Sequence, residues 1–258
     1  MNVSIIDVNV NLSHWPFRRL QQDEPSRLVS KLREHHVAQA WAGSFDAVLH
    51  KDIGGANARL AHDCHEFGHG ILLPFGAVNP TLPDWEEDLR RCHEDYKMRG
   101  IRLYPNYHGY KLDDPIFVKL LQDAAERGLI VQLVVMMEDQ RTQHHLMQMA
   151  PVDLAPLASV VSQINPLRVV LLNGFQPYSP QMIAKLAATG KVSFDTATLE
   201  GIGGIGNLLQ HLPFKYLLFG SNAPLFYFES ALLKFKESFL NEDEKKFISS
   251  ENARGLVS

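Results

Sequence analysis

Short apolar runs rich in Val, Ile and Leu alternate with amphipathic segments along the chain, and this alternation limits the fold more than any other feature. The runs predict eight strands, at 3–10, 37–45, 70–78, 100–104, 129–135, 167–172, 191–195 and 215–220. Between them, apolar residues recur at helical spacing, as in 25–35, 85–96, 115–127 and 179–188. Strands that alternate with helices predict a parallel sheet with helical crossovers.

Eight strands in 258 residues favour a closed barrel over an open doubly wound sheet. The first strand is not followed by a glycine-rich phosphate fingerprint, which weighs against a dinucleotide-binding fold. The glycine-rich segment Gly201–Gly206 follows the seventh strand and is predicted to be a loop. Because no linker, repeat or low-complexity segment divides the chain, the prediction is an α/β protein with a single (β/α)8 TIM-barrel domain over residues 1–258.

Composition excludes some partners. A formal net charge of −4 and the absence of a Lys/Arg block give no basis for nucleic-acid binding. The longest apolar runs are too short to span a bilayer, and the first residues do not read as a signal peptide. Cys64 and Cys92 are distant in sequence, which is typical of reduced thiols in a cytoplasmic protein. The expected partner is a small-molecule substrate, and a homo-oligomer is left open.

Four segments carry a resemblance to a known family. They are Ile6–Asn11 on the first strand, Gly100–Tyr110 on the fourth, Leu217–Pro224 on the last, and Glu251–Leu256 in the closing helix. In order and spacing they are similar to the amidohydrolase-related family of TIM-barrel, metal-dependent hydrolases, over essentially the whole chain. The resemblance implies a barrel whose site lies at the C-terminal ends of the strands.

The chain departs from this family at the metal ligands. The resemblance implies a His pair on the first strand, a His on the fifth, a His on the sixth and an Asp on the eighth. The matching positions are Asn9, Asn11, Val134, Asn173 and Asn222. Zinc is held by imidazole, thiolate or carboxylate groups, whereas an amide oxygen is neutral and a weak donor. The sequence therefore predicts no metal and no cofactor at this site.

The asparagines have two interpretations. Asn9, Asn11, Asn173 and Asn222 could form a ring at the barrel mouth that binds substrate. Alternatively, they could be inner polar residues that satisfy one another, since a buried amide needs partners for its donors and acceptor. The substrate-binding interpretation is favoured.

Three residues are candidates for catalysis. His108 follows the fourth strand and could act as a general acid or base, or could simply pack its ring on a tyrosine. Glu138 follows the fifth strand and could act as a base, or could start a helix. Asp195 closes the seventh strand, where barrel enzymes carry catalytic groups.

Further residues are candidates for substrate binding. Arg18 follows the first strand and Arg141 the fifth, and an arginine can bind a carboxylate through two parallel hydrogen bonds. Tyr104 closes the fourth strand. Arg102 lies within the same strand, and if it points into the barrel it needs a charged partner, for which Glu138 or Asp195 would serve.

These residues lead to two principal hypotheses. The first is a hydrolase of C–O or C–N bonds, of lactonase or decarboxylase type, that acts on a small polar or carboxylated molecule without the family's metal. Metal-free relatives use the last-strand Asp as base, and Asn222 stands there, so that mechanism does not transfer. The alternative is a non-catalytic barrel that binds a sugar or sugar acid. A third, less favoured hypothesis places a metal elsewhere, through His50, His108 or His144.

Overall fold

The computed structural model describes residues 4–176 and 178–258 and contains a barrel of eight parallel strands paired in chain order. The strands are β1 Ile5–Leu12, β2 Val37–Ser44, β3 Leu72–Ala77, β4 Gly100–Leu103, β5 Ile130–Val134, β6 Arg168–Leu172, β7 Val192–Asp195 and β8 Leu217–Leu218. The predicted single-domain (β/α)8 barrel is confirmed.

Helices follow the strands and cover the outside of the barrel. They are α1 Pro25–Glu34, α2 Asp46–Leu49, α3 Ile53–Glu66, α4 Trp85–Glu94, α5 Pro105–His108, α6 Pro115–Glu126, α7 Leu157–Ser162, α8 Pro180–Ala187, α9 Gly204–Leu208, α10 Phe228–Glu237, α11 Glu242–Lys246 and α12 Asn252–Val257. Within the described residues, no helix combines the length and apolar character needed to cross a bilayer.

The first and last strands close the barrel through the backbone. Val8 donates its N–H to the carbonyl of Phe219 at 2.9 Å, and Asn11 donates to Ala223 at 2.8 Å. A parallel bridge also joins Val10 to Ala223. Closure therefore extends beyond the end of β8 and joins the segments that bear Asn11 and Asn222.

Two local predictions need correction. The eighth strand is shorter than 215–220, because Phe214–Tyr216 forms a 3-10 turn and the N–H of Phe219 bonds to Ile248. The segment Gly201–Gly206 is not a loop throughout, because helix α9 begins at Gly204 after a left-handed Gly203. Val3, the predicted start of the first strand, lies outside the described residues.

A β-bulge in β1 determines which side chains enter the barrel. Asp7 pairs with Ala40 and Val10 with Ala42, so β1 carries one extra residue between these pairs. A bulge reverses the alternation of side chains along a strand. Val8 packs in the inner core, and Asn9 within the bulge and Asn11 beyond it also bond to groups inside the barrel.

The lower part of the barrel interior is apolar, and a buried arginine lies above it. Inner strand residues that share one core include Trp41, Phe75, Ile130, Val170 and Leu218. The side chain of Arg102 on β4 is among the largest fully buried ones. Arginine remains protonated in proteins, so this side chain is a fixed positive charge within the barrel.

The expected carboxylate partner of Arg102 is not in contact with it. Its Nη1 donates to the carbonyl of Val10 and to Asn11 Oδ1, both at 2.8 Å, and its Nε donates to Gln132 Oε1 at 2.7 Å. Nη2 donates to the carbonyl of Trp41 at 3.0 Å. Neutral oxygens therefore satisfy the guanidinium, which corrects the prediction that Glu138 or Asp195 would serve. The same contacts make Arg102 unavailable for substrate in this conformation.

We predict that Gly43→Ala destabilises the protein because of Arg102. A Cβ at position 43 would lie 2.6 Å from Arg102 Nη1 and 2.7 Å from its Cδ, and the buried side chain has no room to yield. Overpacking of this kind costs about 1–3 kcal/mol of unfolding free energy. Gly255→Ala is the control, because its Cβ meets nothing within 4 Å and alanine favours helix α12. Urea unfolding measures both, and equal midpoints would contradict the prediction.

Candidate active site

The four asparagines lie together at the C-terminal mouth of the barrel. Asn9 and Asn11 belong to β1, whereas Asn173 and Asn222 directly follow β6 and the β8 region. All four are buried, with at most 2% of their surface exposed. The predicted clustering is therefore present, but the amides do not face open solvent.

One half of the cluster is built around Asp195. Asn9 Nδ2 donates to Asn173 Oδ1 at 2.9 Å and to Asp195 Oδ2 at 2.7 Å, which uses both of its donors. The backbone N–H of Asn173 donates to Asp195 Oδ1 at 2.8 Å. The Asn173 amide in turn donates to the carbonyl of Met136 at 2.8 Å. Asp195 is thus held by groups from β1 and β6.

The other half connects the mouth to Arg102. Arg102 donates to Asn11 Oδ1, and Asn11 Nδ2 donates to Asn222 Oδ1 at 3.2 Å. Asn222 Nδ2 then donates to the carbonyl of Met137 at 3.1 Å. Every asparagine therefore has a protein partner, which is the structural interpretation left open by the sequence.

Backbone conformation gives a further reason for asparagine at two positions. Asn173 has φ of 59° and Asn222 has φ of 56°, both in the left-handed region. Asparagine enters this region more readily than most non-glycine residues. The left-handed turn at each strand end directs the side chain across the mouth.

Of the three predicted catalytic residues, Asp195 is the one that contacts the asparagines. It is completely buried, and burial raises its pKa from 3.8 to about 6, although the hydrogen bonds from Asn173 and Asn9 oppose the rise. Gly220 makes room for it, because a Cβ there would lie 2.5 Å from Asp195 Oδ2. The half-buried Lys234 donates to the carbonyls of Thr196 and Ala197 beside it, and its charge also lowers the pKa of Asp195.

Asp7 is a second buried carboxyl group, and the sequence analysis did not single it out. Burial raises its pKa to about 7, against the hydrogen bonds that it accepts. Ser221 donates its hydroxyl to Asp7 Oδ2 at 2.5 Å and its N–H to Oδ1 at 3.0 Å, while Asn9 N–H donates to the same Oδ1 at 3.0 Å. The available signal was the alternation of Asp7 with Asn9 and Asn11, together with Ser221 in the last-strand motif.

An ion pair closes the mouth from above. Arg18 Nη1 lies 2.5 Å from Glu138 Oε1, with the arginine side chain 42% exposed and the glutamate 2% exposed. The contact is not aligned as a hydrogen bond, and this oxygen has no hydrogen-bond donor among the described residues. Arg18 and Glu138, predicted separately, are therefore partners of each other.

Aromatic side chains hold the loop that carries Arg18. Trp15 packs against Phe45 with ring centroids 5.2 Å apart, and Phe17 stacks on His144 at 5.4 Å. The indole N–H of Trp15 is buried and has no acceptor within the described residues. Segment 13–24, which we call the β1–α1 loop, thus covers the mouth by contacts with the loops after β2 and β5.

His108 does not join the asparagines. Its Nε2 bonds to the carbonyl of Ala47 at 2.9 Å, and its ring packs edge-on to Tyr104 at 5.7 Å. Burial lowers the pKa of His108, which favours the neutral ring. Tyr104 is buried and donates to the carbonyl of Ser44 at 3.4 Å. These contacts match a packing role for His108 and leave Tyr104 without a free hydroxyl hydrogen.

Arg141 pairs with Asp139 and makes no hydrogen bond to the four asparagines or to Asp195. Its guanidinium is 81% exposed and pairs with Asp139 at 2.6 Å. Both residues line a cleft of about 650 Å³ between the loops after β5 and β7 and helix α10. Lys234 and Glu200 also line this cleft, so positive and negative groups are mixed along its walls.

The donor set at the mouth does not fit the family's divalent metal. Amides of Asn9, Asn173 and Asn222 present their N–H groups to oxygens already in place, and Asn11 Oδ1 accepts from a guanidinium. A fixed cation beside the site repels a dication. Among the described residues, two carboxylates contact the asparagines: Asp195 accepts from the Asn9 side chain and the Asn173 backbone, and Asp7 accepts from the Asn9 backbone.

Elsewhere, one group of side chains in the described residues has ligating atoms within 4.8 Å of one another: His14, Asp23 and Glu24. Arg19 already binds both carboxylates, at 2.7 Å to Asp23 and 3.3 Å to Glu24. The histidines of the third hypothesis, His50, His108 and His144, are not in this group.

The geometry defines a class: a parallel (β/α)8 barrel with polar and titratable groups gathered at the C-terminal strand ends, as in barrel enzymes. The family model described as amidohydrolase matches residues 16–257. This chain therefore belongs to the amidohydrolase family. No curated protein matches the chain.

Solved structures of this fold include named enzymes. A 2,6-dihydroxybenzoate decarboxylase from Rhizobium has a TM-score of 0.71 at 14% identity, covering 97% of this chain and 98% of that one. A 5-carboxyvanillate decarboxylase from Sphingomonas paucimobilis has a TM-score of 0.72 at 11% identity, covering 99% of each. A 4-oxalomesaconate hydratase from Rhodopseudomonas palustris has a TM-score of 0.71 at 16% identity, covering 98% and 95%. At these identities the likeness establishes the fold.

The free energy of unfolding should fall as the pH rises through the raised pKa of Asp7. Asp7 binds its proton more tightly when folded, so its stabilising contribution is complete below the ordinary pKa of 3.8 and is lost by about 7. At about 1.4 kcal/mol per pKa unit, the loss amounts to a few kcal/mol. We expect Asp7→Asn to flatten the pH dependence of the unfolding free energy measured in urea. The exposed Asp243→Asn is the control, and an unchanged slope in Asp7→Asn would contradict the prediction.

Metal removal should leave the fold unchanged. Because the mouth offers amides and a guanidinium rather than ligands, we expect dialysis against a chelator to leave the melting temperature of His14→Ala protein unaltered. The His14 substitution removes the group outside the mouth, so metal analysis then reports on the mouth alone. One equivalent of zinc or manganese that survives in His14→Ala and disappears in Asn9→Ala would refute this expectation.

Proposed function

We propose that this chain is an enzyme that acts on a small carboxylated molecule by hydrolysis or decarboxylation, without a divalent metal at the mouth. Asp195 is the proton carrier in this proposal. The observation that carries it is the environment of this carboxyl group, which is completely buried, contacts Asn9 and Asn173, and has a pKa raised to about 6.

A pKa near 6 suits general acid–base catalysis close to neutral pH, because both protonation states are populated. In decarboxylation, protonated Asp195 gives its proton to the carbon that bears the carboxylate. The C–C bond then breaks, carbon dioxide leaves, and Asp195 takes a proton from water. In hydrolysis, ionised Asp195 takes a proton from the attacking water and returns it to the leaving group.

The substrate class is supported by charge and by fold. Arg18 lies above the mouth and is partly exposed, so it can present a positive charge to a carboxylate. The structurally similar enzymes are named for carboxylic acids, including 2,6-dihydroxybenzoate and 5-carboxyvanillate. Asp195 has no exposed surface while the mouth is closed, so the proposal requires the β1–α1 loop to move.

One observation favours a second function, a non-catalytic binding barrel. Both oxygens of Asp195 already accept hydrogen bonds, from Asn9 and from Asn173, so its carboxyl group also has a purely structural explanation. In that case the mouth would bind a polar molecule, such as a sugar acid, and Asp195 would transfer no proton. The two functions differ in turnover.

Asp195→Asn should lower kcat by at least about 100-fold, the lower end of the usual effect of removing a general acid or base. For a decarboxylase, wild-type kcat should fall as pH rises through about 6, because the protonated acid is lost. For a hydrolase it should rise, because the base is formed. Release of carbon dioxide from 2,6-dihydroxybenzoate and opening of a small lactone provide the two assays.

The control for this experiment is Asp243→Asn on the exposed surface, which should leave both assays unchanged. Turnover that Asp195→Asn leaves intact, with a flat pH profile, would exclude Asp195 as the proton carrier. Carboxylates that raise the melting temperature without any turnover would favour the binding barrel instead.

A further inference from the structure

The Arg18–Glu138 ion pair is an unusual contact because its two members differ in exposure. Glu138 is 2% exposed and Arg18 is 42% exposed. A buried carboxylate loses hydration and recovers that free energy only through well-formed contacts. Within the described residues, Arg18 is the one cation within 4 Å of Glu138, and the contact is not aligned as a hydrogen bond.

The loop that carries Arg18 also contains a buried hydrogen-bond donor that has no acceptor among the described residues. The indole of Trp15 is 2% exposed, and its N–H has no acceptor among the described residues. A buried donor without a partner is unfavourable. The closed mouth thus contains an unsatisfied N–H and a misaligned ion pair, and both involve the β1–α1 loop.

The chemistry that would give Arg18 aligned hydrogen bonds is that of a carboxylate ligand. A carboxylate has two acceptor oxygens with about four lone-pair sites, and it binds a guanidinium through two parallel hydrogen bonds. The Glu138 side chain already offers this group to Arg18, but without an aligned hydrogen bond. A free ligand is not tied to the loop after β5 and can align.

We propose that Arg18 is a carboxylate subsite of the barrel mouth, and that Glu138 occupies it as an internal carboxylate until a carboxylated ligand displaces it. This inference rests on the proposed function for the location of the site, but concerns binding rather than turnover. Glu138 is then the competitor of the ligand, which replaces its predicted role as a base. Displacement frees the β1–α1 loop and gives access to the asparagines and Asp195.

Substitution of the two partners should change ligand affinity in opposite directions. Glu138→Gln removes the internal competitor, so we expect 2,6-dihydroxybenzoate to bind about 10-fold more tightly than to wild type. Arg18→Gln removes the subsite and should weaken binding by about 10-fold or more, the scale of a lost charge-assisted contact. Isothermal titration calorimetry measures both dissociation constants, with benzoate as a second carboxylate and resorcinol as the same dihydroxy ring without the carboxylate.

Arg19→Gln is the matched control, because Arg19 is the next residue in the same loop but binds Asp23 and Glu24 instead. It should change the dissociation constant by less than about two-fold, because Arg19 shares no partner with Arg18 or Glu138. Amide hydrogen exchange gives a measurement that needs no ligand. Exchange in segment 13–24 should speed up in both Glu138→Gln and Arg18→Gln, since either change removes the contact that closes the loop.

Several results would overturn the inference. One is failure of Glu138→Gln protein to bind either carboxylate; another is unchanged affinity in both variants. Resorcinol that binds as tightly as 2,6-dihydroxybenzoate would also refute it, because the carboxylate would then contribute nothing. If Glu138→Gln fails to fold, Arg18→Gln decides alone through its affinity and hydrogen exchange. Absence of turnover with these binding shifts intact would refute the role of Asp195 and leave the subsite standing.

Discussion

The interior of this barrel is organised around one fixed charge, the guanidinium of Arg102, which has almost no contact with water. A charge withdrawn from water must be satisfied by hydrogen bonds, and here the acceptors lie on β1, β2 and β5. Contacts with the carbonyl of Val10 and with Asn11 Oδ1 fix the part of β1 beyond its bulge. The carboxyl groups of Asp7 and Asp195 offset the charge at longer range.

The asparagines at the strand ends are compatible with the positive charge of Arg102. A dication about 4 Å from a guanidinium would be repelled by about 4 kcal/mol per unit of charge at an effective dielectric constant of 20. An amide brings an acceptor and two donors in one group, so Asn11 can accept from Arg102 and still donate to Asn222. A neutral imidazole has one donor and one acceptor on opposite sides of a ring. The asparagines at the strand ends and the buried arginine are therefore parts of one arrangement.

The sequence predicted the features that depend on local patterns. Eight strands followed from apolar runs, and the position of Asp195 followed from its place at a strand end. The bulge in β1 was not predictable, because one extra residue between Asp7 and Val10 leaves no mark in composition. The hydrogen-bond acceptors of Arg102 come from three other strands. An inward-pointing arginine led us to expect a carboxylate partner, whereas neutral oxygens accept its hydrogen bonds.

Loop contacts at the mouth were predicted residue by residue but not as pairs. Arg18 and Glu138 were each assigned to the site, yet their ion pair joins loops after β1 and β5 that are far apart in the sequence. His108 was assigned by its position after β4, but the carbonyl of Ala47 and the ring of Tyr104 determine where its imidazole lies. Such contacts depend on the path of loops, which periodicity does not encode.

The two buried carboxyl groups, Asp7 and Asp195, differ in the segments that they hold together. This difference distinguishes a structural role from the proposed catalytic one. Asp7 accepts its hydrogen bonds from Ser221 and from the backbone of Asn9, on the two segments that close the barrel. Closure of the barrel therefore explains the position of Asp7. Asp195 accepts from the Asn9 side chain and from the Asn173 backbone at the mouth. A buried acid weakens a protein whenever it ionises, and well-packed apolar residues often replace such groups without loss of stability. Asp195 joins β7 to Asn9 and Asn173 at the mouth, and the proposed proton transfer would add a chemical reason for a carboxyl group there.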